Sequence, residues 1–419
     1  MRLWCCLCLS GLWVSCLSQA STVAEGVFAS LSESTYQIRL IERGSGEKSG
    51  IGSGFLLRAD GLVATNYHVI AGIARAPLKY RLEYVSQSGE VGALTLLRVD
   101  IVNDLALLQR SPVDTPAFVL GDTLPNKGET LYSLGNPSDL GLIVVPGVYN
   151  GIKQGDVSEK IHFTGAVNAG MSGGPVVNEA HEVVGVNVAK AGDHIAFLVP
   201  VSKLNDLVDV QRTREMIPVQ NQIHQQLQHA QAQLIANVLA APWVMQPLGD
   251  ALIPMVDVDF IRCWGDSNQE KPNTPLFISY TECRQQDDIY LSPTFMTGYL
   301  EMSFEYVAAN TIDALRFSRL YQQRLGARGP GNAVTGGDVT NFTCRDELLP
   351  SSSPGIGKAR TVFCTRAYKK YSGLFDVFFL SASLSHEDKA LISDFSLIGV
   401  DMDSAAAFTQ RVMETVKWK

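Results

Sequence analysis

The sequence predicts an all-β barrel or sandwich, then a helical connector, then a compact α+β domain, and three observations carry that reading. Over residues 35–200, short apolar or β-branched runs recur between Gly, Pro, Asn and Asp punctuation, with little helical periodicity. From Ile223, apolar residues return at Leu227, Ala230, Leu234 and Val238, spaced as on one helix face. Beyond residue 243 the pattern is mixed, and every cysteine outside the first 20 residues falls there.

The 419-residue chain suits roughly two or three domains. Its 46% hydrophobic and 18% charged residues are those of a globular protein with sizeable cores. A formal net charge of -8 argues against a nucleic-acid binder, because attraction to phosphate needs a basic surface. Residues 1–20, MRLWCCLCLSGLWVSCLSQA, carry Arg2, an apolar run and the small-residue end Ser18-Gln19-Ala20. That layout predicts a secretory signal peptide cut after Ala20, and hence an exported protein, periplasmic or secreted. The run is short for an uncleaved anchor. Lipid attachment at Cys16 is the minor alternative, since Trp13-Val14-Ser15 matches a lipoprotein signal poorly. No other stretch reads as a membrane span.

In chain order, TYQIRLI (35–41) is the first strand, and the glycine-rich turn 44–54 leads into FLLRADGLVATNYHVI. There Phe55-Leu56-Leu57 and Leu62-Val63-Ala64-Thr65 form a hairpin around Ala59-Asp60-Gly61. Further strands are expected at 79–85, 93–99, 105–109, 130–134, 142–148, 161–164, 175–177, 182–188 and 195–199. The first domain thus runs over 21–207. The connector, 208–242, is a helix with Pro218 in its first turn, Pro242 and Pro247 after it, and a polar face of Gln, Asn and His. In the α+β domain, 243–419, strands are expected at 276–280, 299–307, 361–368 and 374–380, and helices at 311–325 and 404–417. Segment 326–338, with its five glycines and Pro330, reads as a loop.

Of the eight cysteines, four lie in the leader. The others, Cys263, Cys283, Cys344 and Cys364, are too widely spaced for a typical zinc site. In an exported chain they favour two disulfides, 263–283 and 344–364 among three possible connectivities.

The stretch GMSGGPVV, residues 170–177, sets a serine among glycines, where backbone amides can approach a reacting atom. Taken alone it is a turn. Serine attack on an amide also needs a base and an orienting carboxylate. His68 stands out for the base because it ends a hairpin, in ATNYHVI. His224 and His229 lie on the polar helix and read as solvated; His162, His181, His194 and His386 read as surface or hydrogen-bonded core residues. Asp104, in VNDLALLQ, precedes an apolar strand, where a half-buried acid needs a partner.

Together SGIGSGF, TNYHVI, NDLALL, GMSGGPVV and EVVGVNVA resemble the chymotrypsin-like serine peptidases, and within them the HtrA/Deg branch of exported quality-control proteases. The resemblance covers residues 35–200. It implies two six-stranded β-barrels with the active site between them, His68 as general base, Asp104 as orienting acid and Ser172 as nucleophile. It further implies an oxyanion hole from the amides of Gly170 and Ser172, with no metal or organic cofactor. Ala166 would floor the primary pocket and Val186-Asn187-Val188-Ala189 would wall it. With no acid there, a basic side chain would be desolvated unpaired, so cleavage after small or medium aliphatic residues is expected. Two departures stand out: Met171 replaces the usual Asn, and no PDZ-type glycine loop follows residue 205. The expectation is an exported serine endopeptidase acting on protein or peptide substrates, in envelope protein quality control. The alternatives are a non-catalytic binding protein on a protease scaffold, or an envelope-binding C-terminal domain served by an accessory protease.

Overall fold

In the computed structural model the described residues are 19–137, 140–155, 157–192, 195–271, 273–353, 355 and 357–419, excepting the side chains of 19–22 and 189–192. Residues 1–18, with Cys16 and most of the expected signal peptide, lie outside them, as does His194. Helix α1 (Gln19–Leu31) runs through the expected cut after Ala20, and its Val27 and Leu31 are buried.

The first barrel comprises β1 (Thr35–Glu42), β2 (Lys48–Arg58), β3 (Leu62–Thr65), β4 (Tyr80–Val85), β5 (Val91–Asp100) and β6 (Leu105–Gln109). They close in the order β1-β2-β3-β6-β5-β4. Strands β2, β3 and β6 are apolar on both faces because both faces are covered. Leu56, Val63, Ala106 and Leu108 fill the barrel, while Phe55, Leu57, Leu62, Ala64, Leu105 and Leu107 face the second barrel's Tyr132, Leu134, Val177 and Val186. Such runs lose the period-2 alternation of a half-buried strand. After β7 (Val119–Leu120) come β8 (Thr130–Gly135), β9 (Ile143–Ile152), β10 (Ile161–Thr164), β11 (Pro175–Val177), β12 (Glu182–Gly192) and β13 (Ile195–Pro200). These six close through β11–β12 pairing, with β7 appended in parallel to β12. The chain therefore folds into the two antiparallel six-stranded barrels that the motifs imply.

The connector differs from its expectation in two ways. It is two helices, α3 (Val201–Thr213) and α4 (Val219–Ala240), which follow α2 (Tyr67–Arg75), the helix that carries His68. The boundary at 208 therefore cuts through α3, whose Leu204, Leu207 and Val208 pack with the barrels. Nor is the polar face of α4 simply solvated. Gln222 Oε1 accepts from Val99 N at 3.1 Å, and Gln226 bridges Ile101 N (2.8 Å) and Val99 O (2.7 Å). The glutamines satisfy backbone groups at the end of β5 that would otherwise be buried unpaired. His224, read as solvated, bonds the Ser372 carbonyl at 2.8 Å.

The C-terminal region holds β14 (Trp243–Leu248), β15 (Ala251–Val256), β16 (Ile261–Ser267), β17 (Leu276–Gln285), β18 (Ile289–Ser292), β19 (Phe295–Thr297), β20 (Tyr299–Ala309), α5 (Ala314–Gly326), β21 (Thr343–Leu349), β22 (Ala359–Ala367), β23 (Phe375–Ser383), β24 (Lys389–Val400), α6 (Met402–Thr415) and β25 (Lys417–Trp418). A seven-stranded sheet runs β16-β17-β20-β24-β23-β22-β21. Cys263–Cys283 joins opposed residues of β16 and β17, and Cys344–Cys364 does the same for β21 and β22. Each disulfide thus clamps one edge strand to its neighbour. This region is not a separate bead. Ile289, Leu291, Phe295, Tyr368 and Tyr371 share one apolar cluster with Tyr67 and Ile70 of α2, Ile223 and Leu227 of α4, and the first barrel's interior.

Replacing Cys263 and Cys283 together by serine opens a loop with a sequence separation of 20, which should cost about 3 kcal/mol of stability. Amide exchange should accelerate chiefly in 261–267, leaving β23 protected. Equal acceleration in both strands would contradict the clamp.

Candidate active site

Asp104 sits at the barrel mouth with φ 56, a left-handed backbone that aspartate tolerates better than most residues. The loop before it folds on Asp100, whose carboxylate accepts from Val102 N (3.1 Å), Asn103 N (3.0 Å) and Asn103 Nδ2 (2.7 Å). Burial raises the Asp100 pKa against those hydrogen bonds. So presented, Asp104 grips His68 twice. Oδ1 accepts from His68 N at 2.8 Å, and Oδ2 lies 2.6 Å from His68 Nδ1. The Asp104 carbonyl accepts from Asn66 Nδ2 (2.8 Å) and Tyr67 N (3.2 Å), so the first turn of α2 is fastened to the same residue. With Nδ1–H directed to the carboxylate, Nε2 is left as the basic nitrogen. Burial disfavours charging the ring, but the Asp104 charge and hydrogen bond prevail, and the His68 pKa is held above its ordinary value.

The Ser172 loop is pinned to the first barrel by Ser53, a residue that the sequence reading left without a role. Ser53 N donates to Ser172 O at 2.7 Å and Ser53 Oγ to Gly170 O at 2.7 Å, while Ser53 Oγ accepts from Asn136 N at 2.9 Å. Gly173 has φ 83, and a Cβ there would lie 2.3 Å from Ser53 O and from Thr65 Oγ1, so only glycine fits this approach. Met171 N donates to Asn168 O at 3.0 Å. Among the described residues, the N–H groups of Gly170 and Ser172 on either side have no internal acceptor. Met171 itself is fully buried in the second barrel's core with Leu131, Phe163 and Val176. Its departure from the usual Asn therefore anchors the loop by packing. Ser172 Oγ donates to Val188 O at 3.0 Å. Having one proton, the hydroxyl does not donate to His68 in this conformation.

Val188 joins the two halves of the site. It lines, with His68, Asp104, Ile101 and Tyr290, a cavity of about 360 Å3. The other expected pocket residues divide. Ala166 is exposed. Asn187 is fully buried, accepting from Ser133 Oγ at 3.0 Å and donating to Leu134 O at 3.3 Å, so it braces β12 and is corrected from pocket wall to framework. The side chain of Ala189 lies outside the described residues. The remaining described histidines stand elsewhere: His162 against Phe197, His181 with Ser30 Oγ, His229 in a cleft with Arg98 and Gln226, and His386 against Trp418. Tyr290 is a contributor with no local sequence signal. Its ring meets that of His68 edge-on, with centroids 6.1 Å apart. Among the described residues, no group of His, Cys, Asp and Glu is placed to hold a metal ion, and no helix is long and apolar enough to cross a membrane.

Asp104→Asn removes the charge that raises the His68 pKa and leaves burial unopposed. The ring should then titrate below the ordinary imidazole value of about 6.5, against above it in the wild type, as followed by NMR of the imidazole protons. Equal midpoints in the two proteins would refute the account of this pair. Ser53→Ala strands Gly170 O and Asn136 N, and should cost about 1–3 kcal/mol in denaturant unfolding; an unchanged midpoint would show the pin to be dispensable.

Residues 52–186 match the family model described as the trypsin-like peptidase domain. Serine protease HTRA4 of Mus musculus is 30% identical over 179 residues, covering 40% of this chain and 36% of that protein. The mitochondrial serine protease HTRA2 of Bos taurus is 33% identical over 168 residues, covering 38% and 35%. The match thus spans little more than a third of these curated relatives. The crystal structure of the serine endoprotease from Yersinia pestis superposes with a TM-score of 0.39 at 21% identity, covering 45% of this chain and 66% of that one. Barrel topology and family match agree: residues 52–186 are similar to the trypsin-like peptidase domain, as found in the HtrA serine proteases.

Proposed function

We propose that this chain is an exported serine endopeptidase that cleaves protein substrates through an acyl-enzyme, with Ser172 as nucleophile, His68 as base and Asp104 as its orienting acid. The observation that carries the reading is the meeting, through Val188, of the His68–Asp104 pair with a serine loop whose two flanking N–H groups are free. In the first step Ser172 Oγ turns from Val188 O toward His68 Nε2. One hydrogen bond of about 1 kcal/mol replaces another of similar worth, so the resting conformation costs little to leave. Oγ then attacks the scissile carbonyl as its proton passes to Nε2. The carbonyl oxygen becomes an anion held by the N–H groups of Gly170 and Ser172. Collapse breaks the C–N bond, and His68 returns the proton to the departing amine; water, deprotonated by His68, cleaves the resulting ester.

Ala166, which the resemblance sets at the floor of the primary pocket, carries no charge, and this favours small or medium aliphatic residues before the scissile bond; the likeness to HtrA proteases favours a role in envelope protein quality control. The Ser172–Val188 hydrogen bond is the one observation on the side of a non-catalytic scaffold. A fluorophosphonate probe separates the two readings. The wild type should be labelled and Ser172→Ala should not; an unlabelled wild type that also leaves casein intact would remove the enzyme reading. Asp104→Asn should lower kcat by about 10⁴-fold. Because His68 must be neutral to accept the proton, and its pKa is raised, kcat/KM should climb with pH through a midpoint above about 6.5. A profile flat between about pH 5 and 8 would contradict the role of His68.

A further inference from the structure

The cavity beside His68 has a wall that does not belong to the peptidase barrels. Strands β18 and β19 form a hairpin of the C-terminal region, and side chains alternate along β18. Ile289 and Leu291 point inward to the cluster shared with Tyr67 and Ile70. Tyr290, between them, packs at the margin of the same cluster and brings its ring edge-on to His68, at an interplanar angle of 78°. The hairpin is fastened to both barrels. Arg75 of α2 lies 5.9 Å from the Phe295 ring centroid and forms an ion pair with Asp338. On the second barrel's side, Asp287 accepts from Lys160 Nζ at 2.7 Å and from Val157 N at 3.1 Å. Gln285 Nε2 spans the hairpin base, donating to Asp287 O (2.8 Å) and Gly298 O (3.0 Å). These contacts fix the hairpin in place and leave the cavity beside it open.

The cavity's chemistry is mainly apolar. Ile101, Val102, Val188 and Val199 line it with the Tyr290 ring, and Asn103, Ser158 and Asp288 add polar groups to its wall. Two of its charged neighbours are already committed, Lys160 to Asp287 and Glu159 to Lys203. At about 360 Å3 it falls at the lower end of the range of ligand pockets, roughly 300–1,000 Å3. We propose that Tyr290 is a specificity-determining residue of the peptidase cleft, its ring walling a subsite that takes a bulky apolar side chain adjacent to the scissile residue. This rests on the serine-peptidase reading above. It gives the C-terminal region a direct part in substrate choice, and it adds an apolar requirement to that of the Ala166 pocket. The cavity is bordered by His68 and by Val188, whose carbonyl accepts from Ser172 Oγ, so it adjoins the groups that a scissile bond must reach.

The test is a peptide library varied at each position flanking the scissile bond, cleaved by wild type, Tyr290→Ala and Tyr290→Phe. Active sites are counted by fluorophosphonate titration, so that misfolded chains do not enter the rates. At one position next to the scissile residue, the wild type should prefer Leu, Ile, Met or Phe over Gly in kcat/KM. Tyr290→Ala should reduce that ratio about tenfold, the scale of one apolar pocket contact, whereas Tyr290→Phe, which keeps the ring, should hold it within about twofold. An unchanged ratio in Tyr290→Ala, or an equal loss for every peptide, would overturn the assignment while leaving the peptidase reading intact. A wild type that neither labels nor cleaves would overturn both.

Discussion

A half-buried histidine is held against a half-buried aspartate, and most of what surrounds the site exists to make that arrangement affordable. Asp104 has few other ways to be satisfied at the barrel mouth, so it takes both the backbone N–H and the ring of His68. Its own position depends on the loop wrapped around Asp100 and on a left-handed backbone. Removing any one of these supports would leave a charge or a polar group buried without a partner, at a cost comparable with a large fraction of a domain's stability. The pair also fixes the chemistry, since the nitrogen that faces Asp104 settles which nitrogen remains basic.

The second half of the site is built on a different principle. Around Ser172 the constraints are steric and backbone-borne: Gly173 has no room for a Cβ, Ser53 ties two carbonyls, and Met171 fills the core beneath. Among the described residues, these leave the N–H groups of Gly170 and Ser172 without an acceptor. Leaving backbone donors unpaired is tolerable only where solvent or a ligand can reach them. The two halves come from different barrels, and the apolar layer of Phe55, Leu62, Leu105, Leu107, Tyr132 and Val186 sets their separation. Strands β2, β3 and β6 thus serve both the interior of one barrel and the seam between two.

This division explains what the sequence could and could not reveal. The pairing of His68 with Asp104 was legible because each stands at a strand border in a motif with its own local logic. The strands of the barrels were legible because punctuation marks their ends. Helix α2 was not, since YHVIAGIAR continues the apolar run of β3 and carries β-branched residues. Asn187 read as a pocket wall because strand alternation says which face a residue takes only once the sheet's two sides are known; here both are covered. The polar face of α4 gives no sign of its partners, because nothing within the helix distinguishes a glutamine meeting water from one meeting the backbone of β5, more than a hundred residues earlier in the chain.

The C-terminal region is the limiting case. Its disulfide pairing was the favoured one of three connectivities, and it forms because the register of neighbouring antiparallel strands sets Cys263 opposite Cys283 and Cys344 opposite Cys364. Its relation to the peptidase followed from nothing local. Ile289, Leu291 and Phe295 are ordinary apolar residues of a short hairpin, and such a hairpin is marginal in water by itself. It acquires stability by lending those three side chains to a core completed by α2 and α4. Because α2 also carries His68, the packing that makes the hairpin stable places its remaining ring, Tyr290, against the catalytic-type histidine. A loss of packing in that shared core would therefore reach His68 through α2, which makes the C-terminal region part of the site's framework as well as its neighbour.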